Sequence, residues 1–380
     1  MTDATDQPTN PASCNASSNT LPPLYAAWMD SFLTGPIPNE TASTCNNCAM
    51  LPPVDATSDA NGTYFNPKTK CCTYLPNLPN FLVGRILCDD EFTSGAGRQS
   101  IEERMRAGVA VTPLGLGDTA PQALIYSAGA AAGFGRSESL LCPHYVADGG
   151  GQCGVWRNRN SVCVTWFCKH LRGATGKAFW VALQQMLATT ERELAAWCVS
   201  ELDVGDQTLG ALFPPLKASG KAALTADALD GKISKDQYLQ LWGAWAGREA
   251  EFYRECARLV NALSWADVQR LCGPTLRIQA RMAKVAHESL LSTKVPSRLK
   301  LNTLKIIKIQ TKSIRLDTYS NLDPLDVPKA LLKALPHFDG RPVDEILAEV
   351  AQDENLQLTT PLVRKLVDFA ILSSPTVDIS

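Results

Sequence analysis

Eight cysteines stand in two blocks: Cys45, Cys48, Cys71 and Cys72 in the first, and Cys142, Cys153, Cys163 and Cys168 in the second. Cys45-Asn46-Asn47-Cys48 is a C-x2-C pair, a spacing that lets two thiolates and the amides between them turn around one metal ion. Cys71 and Cys72 are adjacent, and a disulfide between neighbours is strained because their alpha carbons lie too close for a relaxed bridge. Two separate cluster positions suit them better. The glycines at 149–151 permit a tight reversal before Cys153. Eight thiolates are enough for two tetrahedral tetrathiolate sites or for iron–sulfur clusters. The long, irregular spacing and the adjacent pair fit iron–sulfur better than the two regular knuckles of a zinc ribbon, with zinc as the alternative. So much negative charge calls for cations. Lys70, Arg157, Arg159, Lys169 and Arg172 lie beside the cysteines in sequence.

Other candidate chemistry is thin. His144 and His170 each sit two residues from a proposed ligand and are expected to be exposed or to hydrogen-bond to a thiolate. His287 and His337 are isolated, and no Ser-His-acid or Cys-His arrangement is visible. Gly115-Leu116-Gly117 and the glycines between Gly129 and Gly135 match neither a dinucleotide fingerprint nor a phosphate loop, and read as turns. Cys198, Cys256 and Cys272 fall among apolar neighbours on expected helices, where free cysteine packs as a small hydrophobe. Cys14 belongs to a polar lead-in, and Cys88 follows a short apolar run.

The order of the eight cysteines, with Gly151, Trp156 and Arg159 in support, resembles the YkgJ-type cysteine-cluster family. The interval between Cys48 and Cys71 is longer than the few residues usual in that family. The resemblance covers residues 45–168, about a third of the chain, and implies an eight-cysteine zinc- or iron-chelating centre without implying a reaction.

The elements that must position these residues follow from composition and period. The chain has 380 residues, 45% of them apolar and 19% charged, with a net charge near −2. That balance supports a buried core and gives no global footprint for nucleic acid or an acidic membrane. The polar start lacks the basic and apolar regions of a secretory signal. No stretch runs roughly 18 apolar residues without a charge, so no membrane span is expected. A reducing cytoplasm is the expected setting, and there clustered cysteines bind metal more often than they pair.

Residues 1–22 read as a disordered lead-in. Residues 23–172 read as a loop-rich, metal-stabilised cysteine domain with a short helix over Ser100–Ala107. Residues 173–292 read as three to five helices, from Phe179, Leu183, Met186, Leu187, Leu194 and from Phe252, Cys256, Val260, Leu263 at helical spacing, with the tryptophans packing the core. Residues 293–380 read as strands over Leu299–Leu316 and then helices over Asp326–Leu335, Val343–Val350 and Pro361–Leu372, a small winged-helix module. The fold class is therefore α+β and mainly helical.

The segment Phe338-Asp-Gly-Arg-Pro-Val-Asp-Glu-Ile-Leu347, followed by Leu362–Leu372, is similar to PqqD-like winged helices, which implies capture of a peptide along a strand edge. Seven basic residues lie between Lys294 and Arg315, yet the third helix offers only Arg364 and Lys365 and is otherwise apolar, which suits packing better than base readout. The expected function is a metal-binding protein that docks a protein or peptide partner through this module. Alternatives are an iron–sulfur peptide-modifying enzyme or its accessory subunit, and a metal-dependent nucleic-acid-binding regulator.

Overall fold

The computed structural model describes residues 21–40, 43–52, 64–89, 95–119, 122–125, 133–214 and 232–375. Cys14, all but the last two residues of the expected lead-in, and most of the glycine run at 129–135 lie outside the described residues. The fold is α+β and mainly helical, as expected. No helix among the described residues is long and apolar enough to cross a membrane.

The spine is α5 (Gly173–Glu201), packed against α9 (Trp265–Leu291). The ring of Phe179 meets that of His287, while Glu193 lies near Cys272, so the two helices run antiparallel. Ser264 caps α9 through a capping box with Asp267, and Gly273 (φ 73°) with Pro274 kinks it. Phe179, Trp180, Leu183, Met186, Leu187 and Leu194 are buried at the spacing read from sequence. Cys198, Cys256 and Cys272 are buried in this core, as expected.

Among the helices before the spine are α1 (Pro23–Asp30), α2 (Asn80–Leu87) and α3 (Gly95–Ala107). Neither α1 nor α2 was evident from sequence. In α2, Asn80, Phe81, Leu82, Val83, Gly84, Ile86 and Leu87 are all buried, so it carries no amphipathic period. It lies hard against α8 (Glu249–Asn261): a Cβ added at Gly84 would stand 1.8 Å from the Tyr253 carbonyl oxygen. One continuous apolar core joins these elements from Leu21 to Leu290.

A second core lies in the C-terminal part. The strands expected over Leu299–Leu316 are β8 (Arg298–Leu301), β9 (Ile306–Ile309) and β10 (Ser313–Leu316). The helix expected over Asp326–Leu335 is instead strand β11 (Leu325–Pro328), followed by a single turn, Leu331–Ala334. Leu325 and Val327 are buried while Asp326 and Pro328 are exposed. That alternation of two fits the strand and not a helix. The later helices are α11 (Val343–Asp353) and α12 (Thr360–Asp368), following the one-turn α10 (Leu331–Ala334), and the expected last helix stops short of strand Leu372–Ser373. One sheet runs β11-β10-β9, leaving β9 at an edge.

This part is fastened beside the last cysteine. Arg172 meets Asp368 through Nε (2.6 Å) and Nη2 (2.8 Å) in a largely buried pair, and its Nη1 donates to the carbonyls of Leu290 and Ser292. Gly173, at φ 49°, lets the backbones approach: an added Cβ would stand 2.2 Å from the Asp368 carbonyl oxygen. Arg172 therefore joins parts of the fold rather than neutralising thiolates, a correction to the sequence reading.

Candidate metal centre

The structure brings all eight candidate cysteines together. Cys45, Cys71, Cys72, Cys142, Cys153 and Cys163 line one cavity of about 490 Å³, and Cys48 and Cys168 stand close enough to Cys71 to perturb their ionisation. Cys88 is exposed at the end of α2 and lines no part of it.

Two short hairpins present Cys45, Cys48 and Cys153. Strands β1 (Ser43–Thr44) and β2 (Asn47–Cys48) pair with Ser43 opposite Cys48, turning the C-x2-C pair around itself. Strands β6 (Tyr145–Val146) and β7 (Gln152–Cys153) pair with Tyr145 opposite Cys153. Their connection contains Gly149, Gly150 and Gly151, all at positive φ, and an added Cβ at Gly151 would overlap the Tyr145 hydroxyl at 1.8 Å. Cys163 rides on the one-turn helix α4 (Ser161–Thr165), whose start is capped by the Asn160 side chain accepting from the Cys163 N–H.

The donor set fits a metal. Backbone N–H groups of Met50 and Leu51 point at Cys48, that of His144 at Cys142, that of Val155 at Cys153 and that of Cys153 at Cys45. Such bonds favour the thiolate over the thiol. Burial works the other way without a metal, pushing Cys142 up to about 11 and Cys153 and Cys168 up to about 12, and raising Cys45, Cys48 and Cys163. Cys71 alone moves down, to about 7, because Cys72 donates to it and Arg159 and Lys70 stand near. Cys72 rises correspondingly. A bound cation would ionise all eight, releasing their protons as it binds.

Fixed positive charge is already in place. Arg159 stacks on Trp156, 3.4 Å from the ring centroid, donates to the Trp156 and Cys163 carbonyls, and favours ionisation of Cys45, Cys71, Cys153 and Cys163. Buried Lys70 ties the two blocks, donating from Nζ to the carbonyls of Cys45, Gly150 and Gly151. Sequence reasoning missed Arg104, 38 residues before the second block in the chain's irregular half. It is buried beside Cys142, and its Nη1 has no hydrogen-bond partner.

Both flanking histidines are buried, so of the two expected placements the exposed one does not hold, and their hydrogen-bond partners are hydroxyls. His144 contacts Ser100 Oγ at 2.7 Å while its Nε2 is buried without a partner, and burial holds its ionisation down at about 3. His170 is pushed down to about 4 by burial, and binds the Tyr319 hydroxyl (3.1 Å), which also bonds Asp323. The cavity lining also includes the aromatic side chains of Phe65, Tyr74, Phe134, Trp156 and Trp166. Sequence assigned the tryptophans to core packing. That reading concerned residues 173–292, where Trp180, Trp242 and Trp265 are buried; Trp166 lies outside that segment and is exposed where it lines the cavity. Asn321 and Leu322, from the β10–β11 connection, complete the lining.

Among the described residues no three of these sulfurs lie within 4.8 Å of one another. The one group that does converge so closely is His337, Glu349 and Asp353, but Glu349 is already paired with Arg341 (2.7 Å) and His337 (2.9 Å), so it reads as an ion-pair network.

Glu191 braces this site from the core side. It accepts from the Ser161 N–H and Oγ–H and from the Tyr25 hydroxyl, and so fixes the helix that carries Cys163. Burial lifts its carboxyl to about 7 from an ordinary 4.5. Between those values the folded state holds a proton that the unfolded chain has lost, so stability falls as pH rises through the window, by about 3 kcal/mol at most. Thermal unfolding of the full chain at pH 5 and at pH 7.5 should show that loss, and Glu191→Gln should flatten it. Comparison with family models, with curated proteins and with solved structures finds no match for the chain.

Proposed function

We propose that this is a metal protein whose Cys45, Cys48, Cys71, Cys72, Cys142, Cys153, Cys163 and Cys168 hold a polynuclear iron–sulfur centre in a reducing cytoplasm. The observation that carries this reading is one cavity of about 490 Å³ ringed by sulfurs that are too dispersed for a single ion. Tetrahedral zinc, with Zn–S near 2.3 Å, draws its thiolates within about 4 Å of each other. A metal–sulfide core stands between its ligands and keeps them further apart. The resemblance to YkgJ-type cysteine clusters supports the same eight ligands. When bound, such a centre supplies one-electron chemistry at a potential set by its charge and hydrogen bonds. Lys70, Arg104 and Arg159 supply that charge from the protein.

The C-terminal part then serves as a docking module for a protein or peptide. Strand β9 is an edge, and all four of its residues are exposed, with Ile306, Ile307 and Ile309 interleaved with Lys305 and Lys308. An extended, acidic and partly apolar segment would add to that edge through main-chain hydrogen bonds. The second reading, a peptide-modifying iron–sulfur enzyme or accessory subunit, is favoured by Asn321 and Leu322. These connect the same sheet to the cavity wall.

Metal and acid-labile sulfide measured per chain after anaerobic purification test the first proposal. Iron and sulfide in matching amounts with broad visible absorption support it; colourless protein with zinc alone refutes it. For docking, the full chain is titrated with an acidic extended peptide and with duplex DNA at rising salt. Peptide binding weakened by Ile307→Asp, with DNA binding that disappears near physiological salt, is the expected result. A sequence-specific DNA complex at physiological salt would replace docking with the regulator reading.

A further inference from the structure

Beyond its kink, α9 carries two parallel rows on its outer face. Ile278, Met282 and Val285 are 63%, 56% and 55% exposed. Their i, i+4, i+7 spacing places them on one stripe. One residue earlier at each step stand Arg277, Arg281 and Lys284, also exposed. The inner face of the helix is complete without them: Leu276, Ala280, Ala283, His287 and Leu290 are buried, and the helix packs on α5. The outer stripe is therefore surplus to the core. Among the described residues none of the three cations has an ion-pair partner, and Glu288 is the one acidic residue on this stretch of the face.

We propose that this face docks an amphipathic helix of a protein partner that offers an apolar row flanked by Asp and Glu. Charge decides the occupant. A second copy of the same face would set three cations against three, with Glu288 alone to offset them, whereas an acidic helix meets each cation with a carboxylate and seats its apolar row on Ile278, Met282 and Val285. The row is narrow and lacks aromatic residues, which suits a helix more than the broad apolar face of a membrane-surface helix.

The test uses the full chain and two fluorescent synthetic helices of about 20 residues, long enough to hold a helix. Both carry leucine at i, i+4, i+7; one is flanked by Glu and the other by Lys. Anisotropy should show binding of the Glu helix that weakens with salt, and no binding of the Lys helix. Met282→Glu and Arg281→Glu should each weaken it about tenfold, with thermal unfolding unchanged because both positions are exposed. Equal binding of the two helices, or of neither, overturns the proposal. So does sedimentation showing a dimer that Met282→Glu dissolves, or Met282-dependent binding to phosphatidylglycerol vesicles in place of the peptide.

Discussion

Serine at Cys72 or Cys163 should leave the cysteine-bearing segments open to protease, while alanine at Cys256 should be close to harmless. The segments at 43–52 and 133–172 contain no helix longer than five residues among the described ones, and their strands are two residues long. Such pieces cannot hold themselves. If metal orders them, its binding free energy, on the order of 10 kcal/mol or more per site, exceeds or matches the entire stability of an ordinary domain. Losing one ligand of a shared centre therefore releases both blocks at once. Cys256 also has a fully buried sulfur, yet it lies in the helical core beside Cys198 and away from the cavity. Its truncation removes one small group from a packed interior and should cost about 1 kcal/mol. Limited proteolysis with fragment mapping reads the difference. Equal resistance of all three variants would remove Cys72 and Cys163 from the ligand set.

Lys70→Met should be nearly as damaging without touching a ligand. Lys70 is buried and sits at φ 51°, a left-handed conformation that a non-glycine residue adopts only when its surroundings hold it there. What holds it is its ammonium group, shared among the carbonyls of Cys45, Gly150 and Gly151. The substitution leaves three carbonyls without their donor and withdraws a positive charge from beside Cys45, Cys48 and Cys71. Hydrogen bonds to charged groups contribute about 1.5–3 kcal/mol each, so losing three should cost at least about 4.5 kcal/mol. Metal content per chain should fall with it. A Lys70→Met protein that retains full metal and its unfolding temperature would show that the two cysteine blocks meet without this tie.

The gathering of the eight cysteines was the most legible feature of the chain because it is written in residue type and spacing. The C-x2-C hairpin, the turn through Gly149–Gly151 and the role of Arg159 all follow from short local patterns. Helices with one wet face, α5, α8 and α9, were legible for the same reason. The misses have physical causes. Helix α2 is buried all round and shows no period, and β11 was read as helix because Leu331, Leu332 and Leu335 beyond it share a helical spacing. Arg172 looked like a counter-charge by sequence proximity, but its partner, Asp368, is almost two hundred residues away. Arg104, Asn321 and Leu322 reach the site only through tertiary packing, and nothing local marks them.

The proposed iron–sulfur centre is a single polynuclear one built from both blocks of cysteines. X-ray absorption at the metal edge of the anaerobically purified full chain tests it most directly. The expected spectrum is of iron with a first shell of sulfur alone and a second shell of neighbouring iron, both lost together when either Cys72 or Cys163 becomes serine. Zinc with sulfur near 2.3 Å and no neighbouring metal, or iron bound mainly through nitrogen and oxygen, would contradict it.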